Sequence, residues 1–150
     1  MTSALGVTAE FYKTYRDVVD DGFYEQYNPQ DPAIYGDGQC VTYVKHETGI
    51  TDISGNANTW YQGAINAGYY TTEGSSIPAG RDMSSAIIVF GRVSDQSFPN
   101  GHVGIIINKV DSTHLNIRDA NWNLDYKLYE HVVDVSSANY NILGYIYHTP

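Results

Sequence analysis

Cys40 is the single cysteine of the 150-residue chain, and it follows Gly36-Asp37-Gly38-Gln39 at the head of a segment with helical spacing. A thiol placed there meets backbone N–H groups that have no partner inside the helix, and the positive end of the helix dipole. Both favour the thiolate, lowering a cysteine pKa from its ordinary value near ~8.5. The Cys40 N–H would face an oxyanion formed at an attacked carbonyl, and the Gln39 side chain can assist. A lone cysteine is also commonly a small buried hydrophobe. Read as a nucleophile, it needs a base.

Five histidines compete for that role. His102 stands out because Gly101-His102-Val103 opens the apolar run that ends at Ile107. The next run, Leu115-Asn116-Ile117-Arg118-Asp119-Ala120-Asn121, alternates so that Leu115, Ile117, Asp119 and Asn121 share one strand face. A hairpin turning near Asp111-Ser112 gives cross-strand partners whose numbers add to about 222 or 223. His102 then sits opposite Ala120 or Asn121, with Asp119 one step away. Asp119 or Asn121 would fix the imidazole tautomer, leaving its other nitrogen for the thiol proton. His46, His114, His131 and His148 read as surface or core histidines, because none has an acidic or amide partner placed as well.

Periodicity supplies the elements that must hold these groups. Phe11, Tyr15, Val18 and Val19 predict a helix over 8–20, and Tyr27 to Gly38 reads as an ordered loop. A helix over 40–48 stops at Gly49, with Cys40, Tyr43, Val44 and Glu47 on one face. Asn58 is expected to cap a further helix through Trp60, Tyr61, Ala64 and Ile65 that ends at Gly68. From Ser85 the pattern changes to short β-branched runs at 86–90, 102–110, 114–121, 126–135 and 142–147. Helices followed by such strands indicate one α+β domain over 1–150, N-terminal helices packing on an antiparallel sheet of about five or six strands.

Composition excludes several alternatives. A chain of 150 residues, 42% hydrophobic, buries enough surface to fold without a staple, and one cysteine allows neither an internal disulfide nor a four-cysteine zinc framework. Eight basic against 17 acidic side chains give a net charge of −9, which argues against nucleic acid and anionic membrane as partners. The N-terminus lacks a basic and apolar secretory leader, and no stretch approaches a membrane span. The expectation is synthesis in the cytoplasm with no membrane insertion. Most of the 14 tyrosines read as ordinary sheet residues rather than a carbohydrate-binding ladder.

Gly38-Gln39-Cys40, Gly55-Asn56-Ala57 with Trp60, Ser85 to Phe90, Gly101-His102-Val103-Gly104-Ile105 and Asp119-Ala120-Asn121-Trp122 together resemble the CHAP domain, the cysteine, histidine-dependent amidohydrolase/peptidase family, over about 30–148. The resemblance implies a papain-like α+β fold and cleavage of amide bonds in bacterial peptidoglycan, as an endopeptidase or an N-acetylmuramoyl-L-alanine amidase. It implies Cys40 as nucleophile and His102 as general base. Asp119 falls where the family usually has Glu, and Asn121 matches its Asn, so the orienting role rests with one or the other. Trp122 would touch substrate, and Gln39 would serve the oxyanion. Some phage members bind calcium in the loop before the cysteine, and Asp31, Tyr35 and Asp37 occupy comparable places here. Ala33 and Thr42 stand where further acidic ligands are expected, an incomplete set for an ion that takes six to eight oxygens. No cofactor is required by this reading.

The chemistry implied is acyl transfer through a thioester, as in a phage lysin, a virion-associated lytic enzyme or a secreted antibacterial effector. Such an enzyme acts in the periplasm or wall, or as part of a virion. A holin, a phage tail protein or a secretion-system carrier would deliver it. Three rival readings are a Cys-His effector acting on a protein amide, a non-catalytic binding module on the same fold, and a metal site built from Cys40, His102 and Asp119.

Overall fold

The computed structural model describes residues 24–25, 39–92, 99–122 and 128–148. The helix expected over 8–20, the loop over 27–38 and the proposed calcium residues Asp31, Tyr35 and Asp37 lie outside these residues. Two helices form where the apolar spacing places them. Helix α1 spans Cys40–Thr48 and buries Cys40, Tyr43 and Val44. Glu47, expected on the same face, is exposed, so the buried stripe is only one turn long. Helix α2 spans Trp60–Ala67 and buries Trp60 and Ala64. Each ends on a left-handed glycine, Gly49 and Gly68. Asn58 does not cap α2. It lies inside a 3-10 turn, Ala57–Thr59, that leads into the helix, and Thr59 is the residue preceding α2.

Seven strands make one antiparallel sheet among the described residues: β1 (Tyr24–Glu25), β2 (Tyr70–Glu73), β3 (Ile87–Phe90), β4 (His102–Lys109), β5 (His114–Ala120), β6 (Leu128–Asp134) and β7 (Ile142–Tyr147). Their order is β1-β6-β5-β4-β3-β7-β2. The expected α+β architecture is therefore present, with β1 and β2 added at the two edges. β2 escaped the sequence reading because Tyr70-Thr71-Thr72-Glu73 is short, half-exposed and carries no apolar alternation.

Both faces of the sheet are covered, which is why β3 reads as four apolar residues in a row, all buried. Ile87, Val89, Val103, Ala120, Leu128 and Ile146 face the helices and pack with Tyr43, Val44, Trp60 and Ala64. Ile88, Phe90, Ile106, Leu115, Ile117, Tyr129, Val133 and Tyr145 face the other way, where Met83, Trp122 and Ile142 close a second core. Strand parity puts His102, Asp119 and His131 on this second face. α1 lies across β4 and β5 on the first.

The β4–β5 register decides the site. Ile105 pairs with Arg118 and Ile106 with Ile117, partners that add to 223 as expected. Nearer the turn the pairs are Asn108 with Asn116 and Lys109 with Leu115. Ile107 is therefore an extra residue on β4, a bulge placed on the turn side, and the end bearing His102 keeps its register.

Candidate active site

Cys40 is the first residue of α1, with Gln39 in extended conformation before it and no acidic residue in the first turn. Gln39 accepts the first helical hydrogen bond, from the Tyr43 N–H at 3.0 Å. The helix end thus offers its N–H groups and positive dipole to the Cys40 side chain. His102 opens β4 at the sheet end over which that helix start lies. The His102 imidazole and the Val103 N–H lie beside the Cys40 sulfur, close enough for both to favour its thiolate.

Behind His102 stands Asp119. Its Oδ2 lies 2.8 Å from the His102 Nε2, and both residues are buried, at 0% and 2% exposure. At that distance the carboxylate needs an N–H, so Nε2 carries the proton and Nδ1 is the nitrogen turned to the thiol. Of the two orienters left open by the sequence, Asp119 hydrogen-bonds the ring.

Asn121 occupies a different place. β5 ends at Ala120, and Asn121 takes a left-handed φ of +67°, a conformation Asn tolerates better than other non-glycine residues. The face shared by Leu115, Ile117 and Asp119 therefore stops short of it. Asn121 lines the cleft instead, where its Nδ2 donates to the Gln39 Oε1 at 3.4 Å. That contact marks Nε2 as the donating end of the Gln39 amide.

The electrostatics follow from burial and proximity. Burial alone would raise the Cys40 thiol pKa, yet the His102 imidazole beside it and the Val103 N–H more than offset this and bring it below the ordinary value. Burial likewise opposes charge on His102, but the Cys40 sulfur and the Asp119 carboxylate push its pKa up to about 9. Asp119 is held below the usual carboxylate range against its own desolvation by His131 and His102. The favoured state is a thiolate–imidazolium pair backed by a carboxylate.

His131 is the residue the sequence reading missed. It is 1% exposed on β6, and its Nε2 lies 3.1 Å from both oxygens of Asp119. The pairing of Asp119 with Tyr129 across β5–β6 puts His131 two residues along the same face. The available signal was a histidine at an inward position of an otherwise apolar strand face, between Tyr129 and Val133.

Trp122, expected to touch substrate, is fully buried and does not reach the cleft. Its ring packs against His131, His102 and Phe90, with centroids 4.3, 5.4 and 5.8 Å away. It keeps water from the back of the imidazoles rather than binding a ligand.

A cleft of about 380 Å³ opens over Cys40 and His102. One wall is Gly55-Asn56-Ala57 and the other is Pro99-Asn100-Gly101. The Asn58 N–H donates to the Asn100 carbonyl at 2.9 Å, tying the walls together beneath. Gly101 makes that approach possible. Its φ is +78°, and a Cβ there would lie 2.6 Å from both the Asn58 nitrogen and the Phe90 oxygen. The metal reading of Cys40, His102 and Asp119 does not fit this layout, because the three side chains run in series, with the imidazole between thiol and carboxylate. Among the described residues no group of three or more His, Cys, Asp or Glu side chains is arranged to hold an ion.

Solved structures share this fold. One of Ly7917 matches with a TM-score of 0.53 and 19% identity, over 75% of this chain and 54% of that one. A second, of Ly7917 with the hydrolyzing product of MDP, matches with a TM-score of 0.55 and 18% identity over the same shares. An N-acetylmuramoyl-L-alanine amidase from Staphylococcus aureus gives 0.58 and 22%, over 91% of this chain and 37% of that one. The chain thus spans about half of the Ly7917 chain and little more than a third of the amidase chain. No curated protein matches it. The CHAP domain family matches residues 29–121, a span that contains Cys40, His102, Asp119 and Asn121, and the chain belongs to that family.

Proposed function

We propose that this domain is a peptidoglycan hydrolase that cleaves an amide bond of the wall peptide, in the stem, the cross-bridge or the muramoyl-L-alanine link, through a thioester on Cys40. The observation that carries this reading is the series Cys40–His102–Asp119 at a helix start, opening on a cleft. CHAP membership supports it. So does the fold shared with an N-acetylmuramoyl-L-alanine amidase and with a protein solved alongside a hydrolysis product of MDP.

In this mechanism the Cys40 sulfur attacks the carbonyl carbon, and the developing oxyanion accepts hydrogen bonds from the Cys40 N–H and the Gln39 Nε2. As the C–N bond breaks, the His102 imidazolium gives its Nδ1 proton to the leaving amine. Neutral His102 then takes a proton from water, hydroxide adds to the thioester, and the acid product leaves as the thiolate returns. Asp119 stays ionised and steadies the imidazolium throughout. The cleft walls carry the small residues Gly55, Ala57 and Gly101, which leave room for the backbone of an extended peptide.

Such an enzyme would act outside the cytoplasm, in the periplasm or wall or on a virion. A net charge of −9 disfavours unaided approach to an anionic wall, which supports delivery by a carrier, a holin-dependent lysis system or a phage tail. Among the described residues no helix is long and apolar enough to cross a membrane. Digestion of defined muropeptides with mass analysis of the products tests the reading. One new amine and one new carboxylate per cut support it, and the fragment masses name the bond. Intact muropeptides after exhaustive incubation would overturn it.

A further inference from the structure

Asp119 is completely buried, and a carboxylate without water is ionised only when donors replace its hydration. His102 supplies one N–H to Oδ2, at 2.8 Å. His131 supplies the other, its Nε2 lying 3.1 Å from Oδ1 and 3.1 Å from Oδ2. A donor shared between both oxygens resists rotation about the Cβ–Cγ bond, so it keeps Oδ2 aimed at His102. Trp122 packs on both imidazoles and seals them from solvent. Among the described residues Tyr129 also lies against His131, its ring 6.4 Å away and edge-on, and Tyr24 of β1 is the register partner of His131.

We propose that His131 is a positioning residue for the Cys40–His102 pair: by donating to both oxygens of Asp119 it holds that carboxylate ionised and turned toward His102, and so keeps the imidazolium beside the thiolate. This role rests on the reading of Cys40 as the nucleophile. It extends the reactive series by one member, to Cys40–His102–Asp119–His131, and the last member touches no substrate. Loss of the donor would let Asp119 take up a proton or turn away. His102 would then hold its proton less well, and the thiolate would lose its counter-charge. The expected signature is a changed reactivity–pH profile of the thiol, with the cleft and its affinity for substrate left alone.

Alkylation of Cys40 by iodoacetamide against pH tests this without a wall substrate. The proteins are the wild type, His131→Phe, which keeps a ring and loses the donor, and His131→Gln, which returns an amide N–H near the Nε2 position. His131→Phe should alkylate at least about tenfold more slowly than wild type at pH 6, the equivalent of one pKa unit or more, and equally fast once the thiol is fully ionised. His131→Gln should recover most of that rate. A purely structural residue would lower the melting temperature in both variants and leave the alkylation profile of the folded protein in place, which would overturn the proposal. Should His131→Phe fail to fold, the nitrogen NMR spectrum of the wild-type histidines decides. A proton on the Nε2 of His131, with His102 protonated on both ring nitrogens, supports the proposal, and an Nδ1–H tautomer at His131 contradicts it. A thiol profile that moves with His131 in a protein inert toward sacculi would overturn the hydrolase reading alone.

Discussion

The carboxylate of Asp119 meets the His102 Nε2 at 2.8 Å, from the neighbouring strand and away from all water. This contact does two things at once. It fixes the ring so that Nδ1 faces Cys40, and it offsets the cost of a buried imidazolium. The placement depends on register, since a slip of one residue on β5 would turn Asp119 into the helix-facing core and present Ala120 or Arg118 instead. The bulge at Ile107 sits beyond the contact, so the irregularity of the hairpin does not disturb it.

Removing the charge at Asp119 should therefore separate chemistry from folding. Asp119→Asn keeps the shape, but its amide must offer an N–H to at least one of two imidazoles that now donate. Amide hydrolysis should fall by about 10²–10⁴ with KM little changed, the scale of a lost orienting and charge-balancing group. Asp119→Ala leaves both imidazoles without an acceptor and should cost about 3 kcal/mol or more of stability. Steady-state kinetics and denaturant melts check the two effects.

Activity should depend on pH with two limbs. The thiolate form of Cys40 is favoured below the ordinary thiol pKa, so the rate rises as pH passes that lowered value. It falls again as the proton leaves His102 near pH 9. Stability follows the same groups. His102 has a folded pKa above its unfolded one, so its contribution is whole below pH ~6.5 and is lost as pH rises through about 9. Asp119 has a folded pKa below its unfolded one, so its contribution is whole above pH ~3.9 and is lost as pH falls through the lower folded value. In Cys40→Ala the His102 pKa should drop, bringing the alkaline loss of stability to lower pH. Melting temperature against pH for the two proteins checks this.

Gly101 should tolerate no side chain. In Gly101→Ala the new Cβ meets the Phe90 oxygen and the Asn58 nitrogen, both backbone atoms that cannot step aside, at a positive φ that L residues disfavour. A loss of about 2 kcal/mol or more is expected, together with a wider gap between the Asn58 and Asn100 backbones. Hydrogen exchange at the Asn58 amide reports that gap directly, and protection equal to wild type would show that the walls close without the glycine.

Much of this was legible in the sequence because it is carried by spacing. Cys40 before a helical stripe, Gly49 and Gly68 at helix ends, and five β-branched runs all gave elements close to those observed. Alternation on the β4–β5 hairpin brought His102 beside Asp119 and Asn121 and left open which of them meets the ring, which the 2.8 Å contact with Asp119 answers. What was not legible depends on non-local packing. His131 reaches Asp119 only through the β5–β6 register, which no short turn signal defines. Asn121 left its expected face because a single backbone angle turns the chain out of β5. Trp122 carries an aromatic type common at binding sites, yet the alternation of the sheet and the sealing of two imidazoles place it inside. Asn58 is a good capping residue, and the 3-10 turn around it takes that position away.

The most direct test is the appearance of new amine and carboxylate termini in purified sacculi treated with the wild-type protein and with Cys40→Ala, both shown folded by circular dichroism. New termini from the wild type and none above background from Cys40→Ala are predicted. Termini released at the wild-type rate by Cys40→Ala, or a wild type that releases none, would contradict the assignment of Cys40 as the nucleophile of a wall amide hydrolase.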